Sequence, residues 1–374
     1  MDKEELQRFS KPVADVYLAI EDRLLVNIAK KIARDNDILV DIEENGDIRK
    51  IESWQLKKLN ELDALTQEHI KIISKQSGKT AEEVEKMLSG AGYKAVNDIE
   101  GDMKNAADKG KLTMPEVKPK DSSALKDVLR GYEQQAKNKL NLTNTTMIDM
   151  SNQKYLNVIN ETTGKVLAGA TSAQQALRES IRGLAVQGVP ALVDKSGRQW
   201  STEAYVNMVM RSTTNNVANS MQETRMDEYG VDLVEISAHD GARPLCEPYQ
   251  GRIFSRSGDH PRYPPLSETS MGEPAGLFGV NCGHMQYPYF EGTKKTYKPV
   301  KPEVNDRIYQ ESQKQRYLER EVRKAKRELA MMIELGDKQG IAEADDLIKE
   351  RQANVRQFIN DTGRTRRIGR EQIR

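Results

Sequence analysis

Val231-Asp-Leu-Val-Glu-Ile-Ser237 runs straight into Ala-His239-Asp-Gly-Ala-Arg-Pro-Leu-Cys246, and the same chemistry returns at Gly279-Val-Asn-Cys282-Gly-His284. The first of these segments alternates and is rich in β-branched side chains, which predicts a strand feeding directly into His239. Both cysteines and three of the four histidines of the 374-residue chain fall between His239 and His284. Thiolate with imidazole is the ligand set that suits zinc. In an extended segment residues i and i+2 point to one side, so Cys282 and His284 can face a common ion if Gly283 lets the chain close on it. His239 and Cys246 would complete the tetrahedron. His260, in Ser-Gly-Asp-His-Pro, reads as an exposed loop tip and is a substitute ligand. Two rival readings stay open: a Cys246–Cys282 disulfide, and no linkage at all.

Working outward, Arg252-Ile-Phe-Ser255 and Met285-Gln-Tyr-Pro-Tyr-Phe290 are further short strands. A sheet this small has too little apolar area to hold itself, so a metal would staple the loops around it. Four protein donors imply a closed, structural site, and no His-Glu-x-x-His signature is present. Asn281-Cys282-Gly283-His284 is faintly similar to the His/Asn metal sites of small nucleases, which keeps a metal-dependent nuclease among the alternatives.

The rest of the chain reads as helix. Val13, Val16, Tyr17, Ile20, Leu24, Ile28 and Ile32 recur every three or four residues, one apolar face of a long helix. Trp54, Leu59, Leu62, Leu65 and Ile70 continue the pattern; Thr80-Ala-Glu-Glu83 reads as a capping box opening the next helix, and Gly90-Ala-Gly92 as its end. Thr113 to Ser123, with two prolines, reads as a linker. The Asn/Thr-rich stretch Leu140 to Met147 reads as a loop. Helices follow from Thr171 to Gly188 and from Thr202 to Gly230. Asn305 is expected to cap a helix bearing Leu318, Val322, Ala325, Leu329 and Met332, broken at Gly336 and Gly340 before a second helix through Leu347, Val355 and Phe358. These two would pair as a hairpin.

Composition fits this plan. Charged residues are 31%, hydrophobic residues 37% and aromatics 5%, a helix-rich profile with many exposed helix faces. No apolar run is long enough to cross a bilayer, and Met-Asp-Lys-Glu-Glu has no signal-peptide pattern, so synthesis in a reducing cytoplasm is expected, which disfavours the disulfide. The net charge is +1, yet residues 314–327 hold seven Lys/Arg against two acids, and 351–374 seven Arg against two. Arg364, Arg366, Arg367 and Arg370 are therefore candidates for phosphate contacts, against the plainer reading of a solvated helix face.

Several blocks in order carry a resemblance: Ser237-Ala-His239-Asp-Gly-Ala-Arg-Pro244, Tyr249-Gln-Gly251-Arg-Ile-Phe-Ser255, Gly276-Leu-Phe-Gly-Val-Asn-Cys-Gly-His284 and Tyr287-Pro-Tyr-Phe-Glu-Gly292. Across roughly residues 165 to 300 the chain resembles the phage minor capsid protein 2 family, within the MuF-type head-morphogenesis proteins of tailed bacteriophages. It has Cys246 where that pattern commonly has histidine, Tyr249 where tryptophan is common and Gly283 where arginine is common. The first exchange keeps a metal donor. The resemblance implies a structural virion protein of low copy number, present in multiple copies, acting in head assembly beside the portal, with portal, major capsid or scaffold proteins as partners and packaged DNA at the basic C-terminus.

The reading is thus a non-enzymatic, mainly α protein with a small α+β module. Its parts are an N-terminal helical region (1–112), a linker (113–123), a MuF-like module with the Cys/His site (124–300) and a basic helical region (301–374). The alternatives are a metal-dependent nuclease or an ADP-ribosyltransferase-type effector, and a free DNA-binding module.

Overall fold

A computed structural model describes residues 1–374. The apolar stripe of the N-terminus folds as α1 (Lys3–Ala33), in which Val13, Tyr17, Ile20, Leu24, Ile28 and Ile32 are all buried. The chain continues through α2 (Asn36–Asn45), α3 (Lys50–Asn60), α4 (Leu62–Asp108), α5 (Ser123–Leu167) and α6 (Ala173–Gln187). A hairpin of β1 (Pro190–Val193) and β2 (Gln199–Ser201) precedes α7 (Thr202–Tyr229). Then come β3 (Leu233–Ile236), β4 (Ile253–Ser255) and β5 (Gln286–Pro288), an antiparallel sheet in the order β4-β3-β5, and last α8 (Pro302–Leu335) and α9 (Lys338–Thr362). The protein is mainly helical with one small α+β module, as its sequence pattern predicts.

Three local expectations are corrected. Neither Thr80 nor the Gly90/Gly92 pair interrupts α4, which runs unbroken for 47 residues. Val84, Leu88, Ala91, Ala95 and Ile99 carry one buried stripe past both glycines. The glycines serve close packing instead: a Cβ on Gly90 would lie 2.7 Å from the Phe9 ring, and one on Gly92 would run into the Met221 sulfur. The Asn/Thr-rich stretch from Leu140 to Met147 lies inside α5, because Leu140, Thr143 and Met147 are buried at helical spacing and Asn144 accepts a 2.9 Å hydrogen bond from the Tyr17 hydroxyl. Asn305 is not a cap. It lies in the first turns of α8, and its amide bridges both backbone groups of Ala242.

Compactness groups the chain into two units, each assembled from three stretches. The first comprises Met1–Ala14, Thr80–Leu140 and Val206–Ser312; the second Asp15–Lys79, Asn141–Tyr205 and Gln313–Arg374. The first contains the β4-β3-β5 sheet and a core of Ile99, Met103, Met226, Tyr229, Val234 and Phe254. In the second, Trp54 is fully buried, and the buried Lys58 ammonium bonds Asp35 at 2.5 Å and the Lys31 carbonyl at 3.0 Å. Asp337 caps α9 by accepting from the Gly340 amide at 2.9 Å and also holds Arg178.

The fourth histidine, His69, sits in the second unit with Nδ1 2.8 Å from the Ser151 hydroxyl. Burial pulls its pKa down to about 4, with Glu68 opposing. The unfolded chain takes up this proton as pH falls through about 6.5, while the folded state declines it until about 4. Stability is therefore lost on acidification through that window. The expected loss from His69 alone is about 2 kcal/mol between pH 7 and pH 5. Urea titrations of the wild type and His69→Gln at both pH values check it: parallel losses would refute the assignment.

Candidate metal centre

Each residue of β3 is buried, and both of its edges are paired: Val234 faces Phe254 of β4 and Pro288 of β5. Pairing with the β5 side continues past the strand end, where the Ser237 amide donates to the Met285 carbonyl and the Ser237 hydroxyl accepts from the Met285 amide, both at 2.9 Å. This draws the loop bearing Cys282 and His284 alongside the one that leads to His239. The opposite loop turns back at Gly251, whose amide bonds the Ile236 carbonyl at 2.9 Å. Gly251 has φ +62°, and a Cβ there would lie 2.7 Å from the Tyr297 carbonyl, so only glycine fits.

Helix α7 fixes the second loop. Ser212 accepts from the Asn281 amide at 2.9 Å, while Asn219 donates to the His284 carbonyl at 3.1 Å and accepts from the Gln286 amide at 3.2 Å. Asn281 is held at φ 58°, a left-handed conformation that asparagine tolerates better than most residues. Gln250 accepts from the His239 amide at 2.7 Å.

These supports bring the donor atoms of Cys246, Cys282 and His284 within 4.8 Å of one another, all three buried. Cys282 Sγ lies 3.4 Å from His284 Nδ1, and Arg243 Nη2 lies 3.9 Å from Cys246 Sγ. The His239 ring stacks on the His284 ring with centroids 4.3 Å apart. Nε2 of both histidines is buried without a hydrogen-bond partner. The two thiols split a proton: the hydrogen bond to Cys282 and burial push the Cys246 thiol up, while that hydrogen bond and His284 hold Cys282 well below the usual thiol range. Burial, with Lys3 and His284 adding, pulls His239 down to about 2 and keeps its imidazole neutral. Thiolate and neutral imidazole are the forms that bind metal, and orphaned ring nitrogens are what such a site contains before it is charged. The Cys246, Cys282 and His284 trio can hold a metal ion.

A family profile described as phage minor capsid protein 2 matches residues 1–360. The chain belongs to the phage minor capsid protein 2 family. The match reaches well beyond the blocks between 165 and 300 that carry the sequence resemblance. The chain is 29% identical over 376 residues to a structural protein of Lactococcus phage LL-H, covering 96% of this chain and 98% of that relative. It is also 34% identical over 119 residues to a structural protein of Lactococcus phage mv4, covering 30% of this chain and 94% of that one. No solved structure matches. Membership makes this a structural protein of the phage particle, and no helix of this minor capsid protein is long and apolar enough to cross a membrane.

The converging trio does not include His260, and the candidate phosphate contacts belong to the second unit. His260 packs against Tyr263, and its Nε2 is 3.5 Å from Glu291. Arg364 bonds Gln315 at 2.8 Å, Arg366 forks onto Glu371 at 2.7 and 2.6 Å, and Arg370 lies 3.8 Å from Glu319. Burial raises the Glu319 pKa, and Arg367 is among the positive charges that oppose the rise. Sequence reasoning misses Asn219, the approach of Arg243 to the Cys246 sulfur and the grip of Asn305 on Ala242. The polar row Ser212, Asn215, Asn219 on α7 is a helical-spacing signal, but such a row normally marks a solvent face.

Proposed function

We propose that this minor capsid protein is a non-enzymatic component of the phage head, built in at low copy number beside the portal, where it binds portal and shell or scaffold proteins to complete the head. The observation that carries the reading is the family match along residues 1–360. The rigid part of the tool would be the α+β module, with zinc bound by Cys246, Cys282 and His284. The donor set is soft and buried, which favours zinc over oxygen-loving cations. Contact with packaged DNA is a lesser element of this reading, since Arg364, Arg366 and Arg370 have partners within the chain and would have to exchange them for phosphates.

Quantitative mass spectrometry of purified particles, combined with lysine cross-linking, tests the proposal. The expected result is a few to tens of copies per particle, on the order of the portal's own number, with cross-links to the portal. A chain left in the soluble fraction, or present at shell-protein abundance, overturns it.

A further inference from the structure

We propose that the metal of this centre is held by three protein donors only, Cys246, Cys282 and His284, and that its fourth coordination position takes an exchangeable monodentate ligand, water or a small anion, under the ring of His239. This rests on the zinc reading above and changes its character: the site is open to ligand exchange, and His239 is its cover.

Three observations separate His239 from the ligand set. Its ring lies face on face with that of His284, with centroids 4.3 Å apart and planes inclined by 26°. Zinc lies near the plane of each imidazole that binds it, 2.0–2.1 Å from the nitrogen, so two imidazoles sharing one tetrahedral ion have centroids about 5 Å apart and do not stack. The donor atoms that converge within 4.8 Å are those of the other three residues. And Nε2 of His239 faces the backbone of Gly283: a Cβ added there would lie 3.3 Å from it, beside the Lys3 side chain at 3.1 Å. The glycine makes room for the ring to lie flat on that of His284.

Other groups suit a fourth, exogenous ligand. Asn215, one helical turn before the Asn219 that grips the His284 carbonyl, is fully buried with both amide atoms unpartnered. Buried amides are almost always hydrogen-bonded; a metal-bound water or hydroxide can donate to Oδ1 and accept from Nδ2, and any other small anion can accept from Nδ2. Charge agrees as well. A divalent ion with two thiolates is neutral, and the Arg243 guanidinium 3.9 Å from Cys246 Sγ adds one positive charge, which favours a singly charged anion in the remaining position. His239 is partly exposed, whereas the three ligands are buried, as suits a cover over the centre.

The test uses the full-length chain loaded with cobalt(II), whose visible bands report coordination, titrated with azide as the probe ligand. The wild type is expected to bind about one cobalt per chain, and azide to shift the bands saturably. His239→Phe, which keeps a flat ring and removes both nitrogens, is expected to bind cobalt within about threefold of the wild-type affinity and to keep the azide response. Bands that ignore azide in the wild type, together with a loss of about 100-fold or more in cobalt affinity for His239→Phe, would show a closed four-donor site and overturn this inference while leaving the zinc reading standing. Failure of the wild type to bind cobalt overturns both. The azide titration needs no variant, so misfolding of His239→Phe does not protect the proposal.

Discussion

Exhaustive chelation of the purified protein will lower the melting temperature of its first unit by roughly 10 °C, and Cys282→Ser will do the same without a chelator. With free zinc at about a thousand times its dissociation constant, linkage supplies about 4 kcal/mol to the folded state, and a unit of this size shifts by roughly 2–4 °C per kcal/mol. The physical reason is how little else holds the loops. The three strands of the sheet are only four, three and three residues long, and the segments bearing Cys246 and Cys282 lie outside them. Phe278 and Asn281, both at φ 58°, must be kept in left-handed conformations that a loosened loop would abandon. Scanning calorimetry with zinc added back, alongside metal analysis of the untreated protein, decides the matter. Less than about a tenth of an equivalent of zinc and a melt indifferent to chelator would remove the metal from the account.

Arg327→Ala will cost the second unit about 3–5 kcal/mol, because it strands two carboxylates in the interior. Arg327 reaches Glu21 at 2.5 Å and Asp22 at 2.6 Å; both carboxylates are buried and the guanidinium side chain is only 11% exposed. Glu21 is doubly committed, since it also accepts from the Val189 amide at 3.1 Å. Burial raises the Glu21 pKa even with Arg327 beside it, so the cluster gains little net stability and mainly specifies which helices meet. Accordingly, combining Arg327→Met with Glu21→Gln and Asp22→Asn should recover more than half of the loss. Denaturant midpoints measure both effects, and a cost below about 1 kcal/mol for the single exchange would show that water reaches the carboxylates.

Much of this architecture is written in short-range pattern. The α1 stripe and β3 are legible because each needs only a period, 3.6 or 2, and a burial partner of any kind. The metal-type residues are legible because soft donors are rare in the chain and crowd into one window. Features that depend on a particular distant partner are not legible. A glycine that ends a helix and one that admits Phe9 or Met221 look alike until the neighbour is known, so Gly90 reads as a helix end in the sequence. Asn144 favours a loop by composition but is helical because Tyr17 meets it. The β1–β2 hairpin has only a local signal: the Asp194 carboxylate accepts from the Ser196 and Arg198 amides around Gly197, a turn that closes on itself. In the site, stacking rather than convergence of His239 on His284 is a matter of ring orientation, which spacing does not encode.

The three-stretch make-up of each unit has a consequence for biosynthesis. A ribosome delivers the last stretch of the first unit only as Ser312 emerges, and that of the second only near Arg374. At about 5–20 residues per second, neither core can close during most of translation, and early stretches must wait for late ones. Folding is therefore largely post-translational, and a nascent or prematurely terminated chain carries no finished surface to offer an assembling particle. For the same reason no single contiguous fragment reproduces either unit, so the parts of this protein are better dissected by point substitution than by truncation.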